Sequence, residues 1–306
     1  MSFEAVRPSV CAVIVTYHLD LNRLKVLLEV ALPQADHLVV VDNGSDDQVL
    51  ASVQNWAGHD GFSVIGIGEN VGVAAAQNQG VIWARAQGCT HVLMLDQDSI
   101  PSPDMVQKLL AALDETRSSG ISIAAAGPRV VDRRTGASTP FVRIGLLGVT
   151  KREYRDATTS LIPTDFLISS GMLIPLAILN RVGLPEENLF IDNVDLEWCF
   201  RARSMGLSLY GVYDAVMEHS VGDHVVQLGS YVIHLHAPLR QYYIMRNRIV
   251  LYQRSYSPWG WIIQDFVRML FKLLAFSLFF PPRRQNIAMM LKGIKDGLTG
   301  KMGKFR

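Results

Sequence analysis

Three stretches of this 306-residue chain constrain its fold more than any other feature: "VCAVIVTYH", "HLVVVDNGS" and "THVLMLDQDSI". Each opens with a run of Val, Ile, Leu or Met that shows no polar alternation. A strand with one solvated face alternates apolar and polar residues, so runs like these predict strands buried on both faces, as in a parallel sheet. Between and after them, "LNRLKVLLEVAL", "GVAAAQNQGVIWARAQG" and "SPDMVQKLLAALDE" have helical spacing. Ser102 as N-cap, with Pro103 at the first helical position, predicts the start of the third helix. "FSVIGIG" and "ISIAAAGPRVV" supply two more strands. Strand and helix alternate to about residue 130, which predicts a doubly wound α/β sheet. Beyond that, "DFLISSGMLIP" predicts a strand and "NVDLEWCFRARSMG" a helix with Val194, Trp198 and Ala202 along one side. "LSLYGVYDAVMEHS" contains a further strand.

Two of the buried runs end in acid. "THVLMLD" closes on Asp96, with Asp98 two residues on and Gln97 between. Open α/β sheets bind ligands at the carboxyl ends of their strands. Two carboxylates this close repel unless a cation sits beside them, so the pair is a candidate metal site. The ordinary alternative, that one of them caps the next helix, is weakened because Ser102 is better placed to do so. Asp42 ends a second buried strand before a tight Asn43-Gly44 turn, where it is either part of a polar turn or an acceptor for an imide N–H or ribose hydroxyl. In "GENVGVAAAQNQG", Asn70 and Asn78 are candidates for a base or ribose, and the small residues equally suit close helix–sheet packing. His219, at the end of a strand, is a candidate nitrogen ligand beside Asp98. "GIGENVG" departs from the dinucleotide fingerprint: its third glycine is one position late and it follows the third strand, so nicotinamide chemistry is a poor fit.

Composition excludes some partners. Lys and Arg number 29 against 28 Asp and Glu, a net charge of +1, which provides no general attraction to nucleic acid. Cys11, Cys89 and Cys199 show no CxxC spacing, as expected of a reduced cytoplasmic protein, and the N-terminus lacks the pattern of a signal peptide. Mean hydropathy of +0.19 is high for a soluble enzyme, and the excess lies near the C-terminus. "WIIQDFVRMLFKLLAFSLFF" is apolar apart from Gln264, Asp265, Arg268, Lys272 and Ser277, the first four on one helical stripe. It is too charged to span a bilayer. With Arg283, Arg284, Lys292, Lys295, Lys301, Lys304 and Arg306 following, it predicts a helix lying in a membrane interface beside anionic headgroups; packing on its own domain or on a second subunit is the alternative.

In order along the chain, "VIVTYH", "VVDNGS", "NVGVAAAQNQG", "MLDQDSIP", "ISSGMLI", "NLFIDNVDLEWCFRA", "EHSVGDH" and "HAPLRQYYIMRN" resemble the motifs of family 2 inverting glycosyltransferases of the GT-A fold. The D-Q-D triplet, "FIDNVDLEWCFRA" and "RQYYIMRN" are most similar to bacterial L-rhamnosyltransferases. The resemblance implies a mixed, mainly parallel sheet in a catalytic domain over residues 1–255, followed by an amphipathic, basic helical extension over residues 256–306. It implies that Thr16, Tyr17, Asp42, Asn70, Asp96, Gln97 and Asp98 contact the donor nucleotide-sugar. Asp98 and His219 are implied ligands of a divalent cation, Mg²⁺ or Mn²⁺. The family's catalytic Glu-Asp pair falls on Val194-Asp195, so Asp195 is the implied base, with Asp192 and Glu197 as nearby alternatives. The implied donor is dTDP-β-L-rhamnose, with another sugar from a UDP donor as the alternative and a non-catalytic binding module further off. The acceptor is expected to be a glycan or lipid-linked glycan, used in cell-surface polysaccharide synthesis such as O-antigen. The expected location is peripheral, on the cytoplasmic face of the inner membrane. "RQYYIMRN" lies near either the acceptor or the membrane, or is a helix packing its tyrosines on the domain.

Overall fold

In the computed structural model, the first strand, β1 (Val10–Thr16), is buried along its whole length. Its side chains alternate between two cores: Val10, Ala12 and Ile14 face one, Cys11, Val13 and Val15 the other. The neighbours β2 (His37–Asp42) and β4 (His91–Asp96) divide the same way, with Leu38, Val40, Leu93 and Leu95 on the first side and Val39, Val41, Val92 and Met94 on the second. Period-2 alternation between two apolar layers explains the unbroken runs in the sequence. The structure describes residues 7–57, 61–133, 135–146, 148–152, 160–219, 225–228, 231–234 and 236–305.

Helices cover both faces. In chain order the first half continues with α1 (Leu21–Ala31), α2 (Asp47–Trp56), β3 (Phe62–Gly66), α3 (Val73–Ala86), β5 (Ser99–Pro101), α4 (Met105–Ser118) and β6 (Ile123–Asp132). Leu24, Leu27 and Leu28 of α1 and Met105, Leu109 and Leu113 of α4 fill the first core. Ala76, Val81 and Ala84 of α3 press on the second. The second half adds β7 (Phe141–Gly145), β8 (Gly148–Arg152), β9 (Leu161–Thr164), β10 (Leu173–Pro175), α5 (Leu176–Val182), α6 (Val194–Ser204) and β11 (Ser208–His219). A hairpin of β12 (Val225–Leu228) and β13 (Tyr231–His234) then leads to α7 (Pro238–Tyr252), α8 (Trp259–Leu278) and α9 (Arg283–Leu298).

The main sheet runs β3-β2-β1-β4-β10-β6-β11-β5, with β9 also on β11. β3, β2, β1, β4, β6 and β11 point the same way, while β10, β5 and β9 run against them. The sheet is therefore mixed and mainly parallel, as the sequence implies. Pairing of Thr16 with Asp42 and of Val15 with Asp96 brings three strand ends to one rim. On β11 the register shifts between Val212 and Val216, an irregularity that redirects the strand end. β5 then pairs antiparallel with it, placing His219 opposite Ser99.

Several expectations need correcting. Helix α4 begins at Met105 rather than at Pro103: Ser102 Oγ donates to Asp104 Oδ1 at 3.0 Å, and its C=O accepts from the Met105 N–H. Only Leu173–Pro175 of "DFLISSGMLIP" is strand. Ahead of it, buried Asp165 accepts from the Ile144 N–H and meets Arg143 and Arg203, which ties that segment down outside the ladder. "RQYYIMRN" lies in α7 with Tyr242 and Tyr243 buried, so domain packing accounts for its tyrosines. The C-terminus forms a second helix, α9, packed against α7. A Cβ on Gly293 would lie 2.4 Å from the Tyr242 carbonyl, so only glycine allows that approach.

Candidate active site at the strand ends

One oxygen each of Asp96 and Asp98 and one ring nitrogen of His219 lie within 4.8 Å of one another. His219 Nδ1 is 3.4 Å from Asp98 Oδ1, close to the roughly 3 Å between two donor atoms sharing one ion. Two carboxylates and an imidazole suit a hard or borderline divalent cation such as Mg²⁺ or Mn²⁺. Two serines brace the cluster. Ser170 Oγ accepts the Asp96 N–H at 3.0 Å and lies 2.6 Å from Ser99 Oγ, which is 2.9 Å from His219 Nδ1. Neither serine carried a functional reading in the sequence, although "ISSG" and "DQDS" contain them.

Asp96 is half-buried at the strand end. Burial pushes its carboxyl up to about 6, opposed by His219 and reinforced by Asp98. An added positive charge is what such a site lacks.

The remaining donor-side residues divide by what they hold. Asp42 is almost fully buried, and both its oxygens already accept from protein: Oδ2 from Thr16 Oγ at 2.9 Å, Oδ1 from the N–H groups of Gly44 at 3.2 Å and Ser45 at 2.8 Å. Gln97 spends its amide on the Tyr17 backbone, accepting the N–H at 2.9 Å and donating to the C=O at 3.1 Å. It thereby locks the β1 and β4 ends together and leaves the Tyr17 side chain exposed. Asn70 accepts from Gly72 N–H and Asn43 Nδ2, linking the β2 and β3 loops. Asn78 is buried and donates to Pro185 C=O and Glu187 Oε1, so it braces a loop and does not reach a base or ribose. Gly72 has φ +93°, and a Cβ there would lie 2.6 Å from the Phe190 carbonyl. Gly72, just before α3, therefore seats the helix on the segment that leads into the candidate base.

That segment, residues 188–193, is held from α7. Asn247 Nδ2 donates to the carbonyls of Leu189 (3.0 Å), Ile191 (2.7 Å) and Asp192 (2.9 Å). Arg246 donates to those of Asn188 and Leu189, and to Gly303 near the C-terminus. Phe190, Asp192 and Asn193 have positive φ of 68°, 63° and 60°, conformations that non-glycine residues hold only when their surroundings impose them.

The loop then delivers three acids with different fates. Asp192 is held bidentately by Arg240 at 3.0 and 3.1 Å. Glu197 is buried, paired with Arg201 at 2.8 and 2.9 Å and accepting from Tyr256 Oη at 2.6 Å. Asp195, in the first turn of α6, has no cationic partner among the described residues and accepts the Leu196 N–H at 2.8 Å. Burial pushes its carboxyl up to about 6 against the backbone N–H of Leu196, and Asp96 raises it further. A carboxylate near neutrality with no counter-ion is suited to taking a proton, whereas Asp192 and Glu197 each already carry an arginine partner. Of "EHSVGDH" the structure describes Glu218 and His219; residues 220–224 lie outside the described residues, as does Arg306.

A paired-carboxylate and imidazole cluster at the C-terminal rim of an α/β sheet, within electrostatic reach of a helix-start acid that has no cationic partner among the described residues, suits a sugar-nucleotide transferase. A family model, Glycosyl transferase family 2, matches residues 11–174, and the chain belongs to that family. It is 29% identical, over 97% of its length and 98% of the relative's, to the dTDP-rhamnosyl transferase RfbF of Shigella flexneri. To the galactofuranosyltransferase GlfT1 of Mycolicibacterium smegmatis it is 26% identical over 97% of its length and 98% of that protein's. Among solved structures it superposes on GalNAc-T7 with UDP, GalNAc and Mn²⁺, with TM-score 0.61 and 13% identity, covering 97% of this chain and 57% of that one. It also superposes on S. aureus TarS 1–349 with UDP-GlcNAc, with TM-score 0.57 and 17% identity, covering 95% and 81%. The fold is GT-A, and the enzyme is a rhamnosyltransferase-like glycosyltransferase.

Proposed function

We propose that this enzyme transfers L-rhamnose from dTDP-β-L-rhamnose, with inversion, to a saccharide acceptor during cell-surface polysaccharide synthesis. The observation that carries the reading is Asp195: alone among Asp192, Asp195 and Glu197 it has no cation among the described residues, and it lies within electrostatic reach of Asp96, a member of the Asp96, Asp98 and His219 cluster. Thr16, Tyr17, Asp42, Asn70, Asp96, Gln97 and Asp98 frame the donor pocket, with Gln97 and Asp42 acting mainly by fixing its backbone. Asp98 and His219, with Asp96 beside them, would hold a divalent cation, Mg²⁺ or Mn²⁺. When bound there, the cation neutralises charge on the departing diphosphate. Asp195 accepts the proton of the acceptor hydroxyl as it attacks from the face opposite the nucleotide. The likeness to RfbF supports rhamnose over the galactofuranosyl alternative.

Residues 1–255 carry the transfer chemistry in this reading, and residues 256–306 carry the membrane contact. No helix among the described residues is long and apolar enough to cross a bilayer. Part of the polar stripe of α8 turns inward: Gln264 Oε1 accepts the Val149 N–H, and buried Asp265 accepts from Tyr252 Oη at 2.6 Å and meets Arg248 at 3.4 Å, while Arg268 stays exposed. The opposite face, with Trp259, Ile263, Phe266, Leu270, Phe271 and Leu274, is exposed. So large a contiguous apolar face marks an interaction surface. With Arg283, Arg284, Lys292 and Lys295 exposed on the adjoining α9, anionic lipid on the cytoplasmic face of the inner membrane fits it.

Melting shifts with dTDP-rhamnose and with UDP-sugars, each with and without Mn²⁺, test the donor reading. A larger Mn²⁺-dependent shift with dTDP-rhamnose is expected, and Asp98→Ala should abolish the Mn²⁺-dependent part. A preference for UDP-sugars would refute the rhamnosyl reading.

A further inference from the structure

The inward stripe of α8 does more than dock the helix. Arg248 and Tyr252 of α7 meet Asp265 of α8. Gln241 precedes Arg248 by seven residues and shares its helix face, and Lys272 follows Asp265 by seven and shares its own. Met245, one turn from both Gln241 and Arg248, shares a core cluster with Met269 and Phe276 of α8, which flank Lys272, and Arg240, next to Gln241, holds Asp192.

Two features of this corner are unexplained by folding alone. Gln241 is fully buried, yet among the described residues neither its Oε1 nor its Nε2 has a hydrogen-bond partner. Burying an amide with both atoms unmade is costly, and native structures rarely tolerate it. Lys272 has no carboxylate within ion-pair distance among the described residues, and its ammonium packs over the Phe276 ring at 5.6 Å. Burial lowers it to about 8, and Arg248 and Arg240 lower it further while Asp192 and Asp265 oppose them. Lys272 thus lies within electrostatic reach of two matched pairs, Arg248 with Asp265 and Arg240 with Asp192, the latter in the loop that leads to Asp195.

We propose that Lys272, Arg240 and Gln241 form a binding site for the phosphate group of a lipid-anchored acceptor, holding the junction between its apolar anchor and the sugar presented to Asp195. The ammonium and guanidinium take the anionic oxygens. The Gln241 amide offers one donor and one acceptor, matching a phosphate oxygen and a sugar hydroxyl. The lipid source follows from position: the outer face of the helix that supplies Lys272 is the apolar one. The inference rests on the transfer reading for its biological meaning, but its binding test does not.

The test titrates the full chain with farnesyl diphosphate by calorimetry in EDTA, so that the Asp96–Asp98–His219 cluster cannot recruit the probe through a metal. Farnesol, inorganic diphosphate and phosphatidylglycerol vesicles serve as comparison ligands. Lys272→Met keeps the apolar stem and removes the charge; Lys272→Arg restores it. Lys272→Met should weaken farnesyl diphosphate on the order of tenfold to a hundredfold, with Lys272→Arg within about threefold of the parent. Equal affinity of the parent and Lys272→Met, with melting temperatures unchanged, would overturn the site. Inorganic diphosphate binding as tightly as farnesyl diphosphate would overturn the lipid anchor, and vesicle binding that Lys272→Met weakens equally would assign the site to headgroups. Mn²⁺-dependent binding of dTDP-rhamnose, measured in parallel, should be the same in all three proteins. Its absence in the parent would refute the donor reading and leave the phosphate site standing.

Discussion

Asn247→Ala offers the clearest separation of architecture from chemistry in this enzyme. The Asn247 amide donates to three carbonyls of the loop before α6 and accepts from Arg246 Nε at 2.9 Å. After truncation the Leu189 carbonyl keeps Arg246 Nη2 at 2.7 Å, whereas those of Ile191 and Asp192 lose this donor. Each unmade bond costs about 1–3 kcal/mol, the lower figure where water reaches it. Both residues are half-buried, so a loss of about 2–4 kcal/mol is expected. For a chain of this size that lowers the melting temperature by roughly 4–8 °C. The loop is also freed to leave the left-handed conformations of Asp192 and Asn193, and Asp195 follows two residues later. Misplacing a base by about 1 Å costs on the order of 100-fold. Steady-state sugar transfer should therefore show kcat reduced about 10- to 100-fold, while KM for the donor stays within about threefold, because the residues proposed to hold the donor sit on other strand ends. Asn247→Asp cannot donate to any of the three carbonyls and should behave no better. A variant that melts early yet keeps its kcat would show that the clamp serves stability alone and refute the positioning argument.

Burial holds the Asp195 carboxyl near 6, so transfer should rise as pH climbs through that value and level off above it, read from kcat/KM between pH 5 and 8; a flat profile would remove Asp195 as the base. The same raised value means the folded state binds that proton more readily than the unfolded chain, so the ionised group opposes folding above pH 6. Asp195→Asn should accordingly lose nearly all turnover while melting no earlier than the parent at pH 7.5, with donor binding retained. Phe266→Ser with Phe271→Ser should abolish co-sedimentation with anionic vesicles and leave donor binding intact; continued sedimentation would assign the apolar face to another partner. Point changes suit this question better than truncation, because the last residues help hold the site: Arg246 reaches Gly303 C=O, and the Phe305 N–H donates to Tyr243 Oη.

What the sequence determines by itself is the layered sheet and the address of the site. Unbroken apolar runs can be satisfied only by burial on both faces, and acids at their ends must emerge at the carboxyl rim, so β1, β2, β4, Asp96 and Asp98 are legible from local pattern. Tertiary structure decides the rest, because each remaining role depends on what a side chain meets across long separations. Asp192, Asp195 and Glu197 look alike in the chain, and only Arg240, Arg201 and Tyr256 distinguish them. Gln97 reads as part of a metal motif until its amide is found on the Tyr17 backbone. The stripe on α8 is visible as a pattern, but periodicity fixes only that two faces differ. Which face turns inward was settled by Val149, Arg248 and Tyr252, whose polar groups draw Gln264 and Asp265 inward while Arg268 of the same stripe stays exposed.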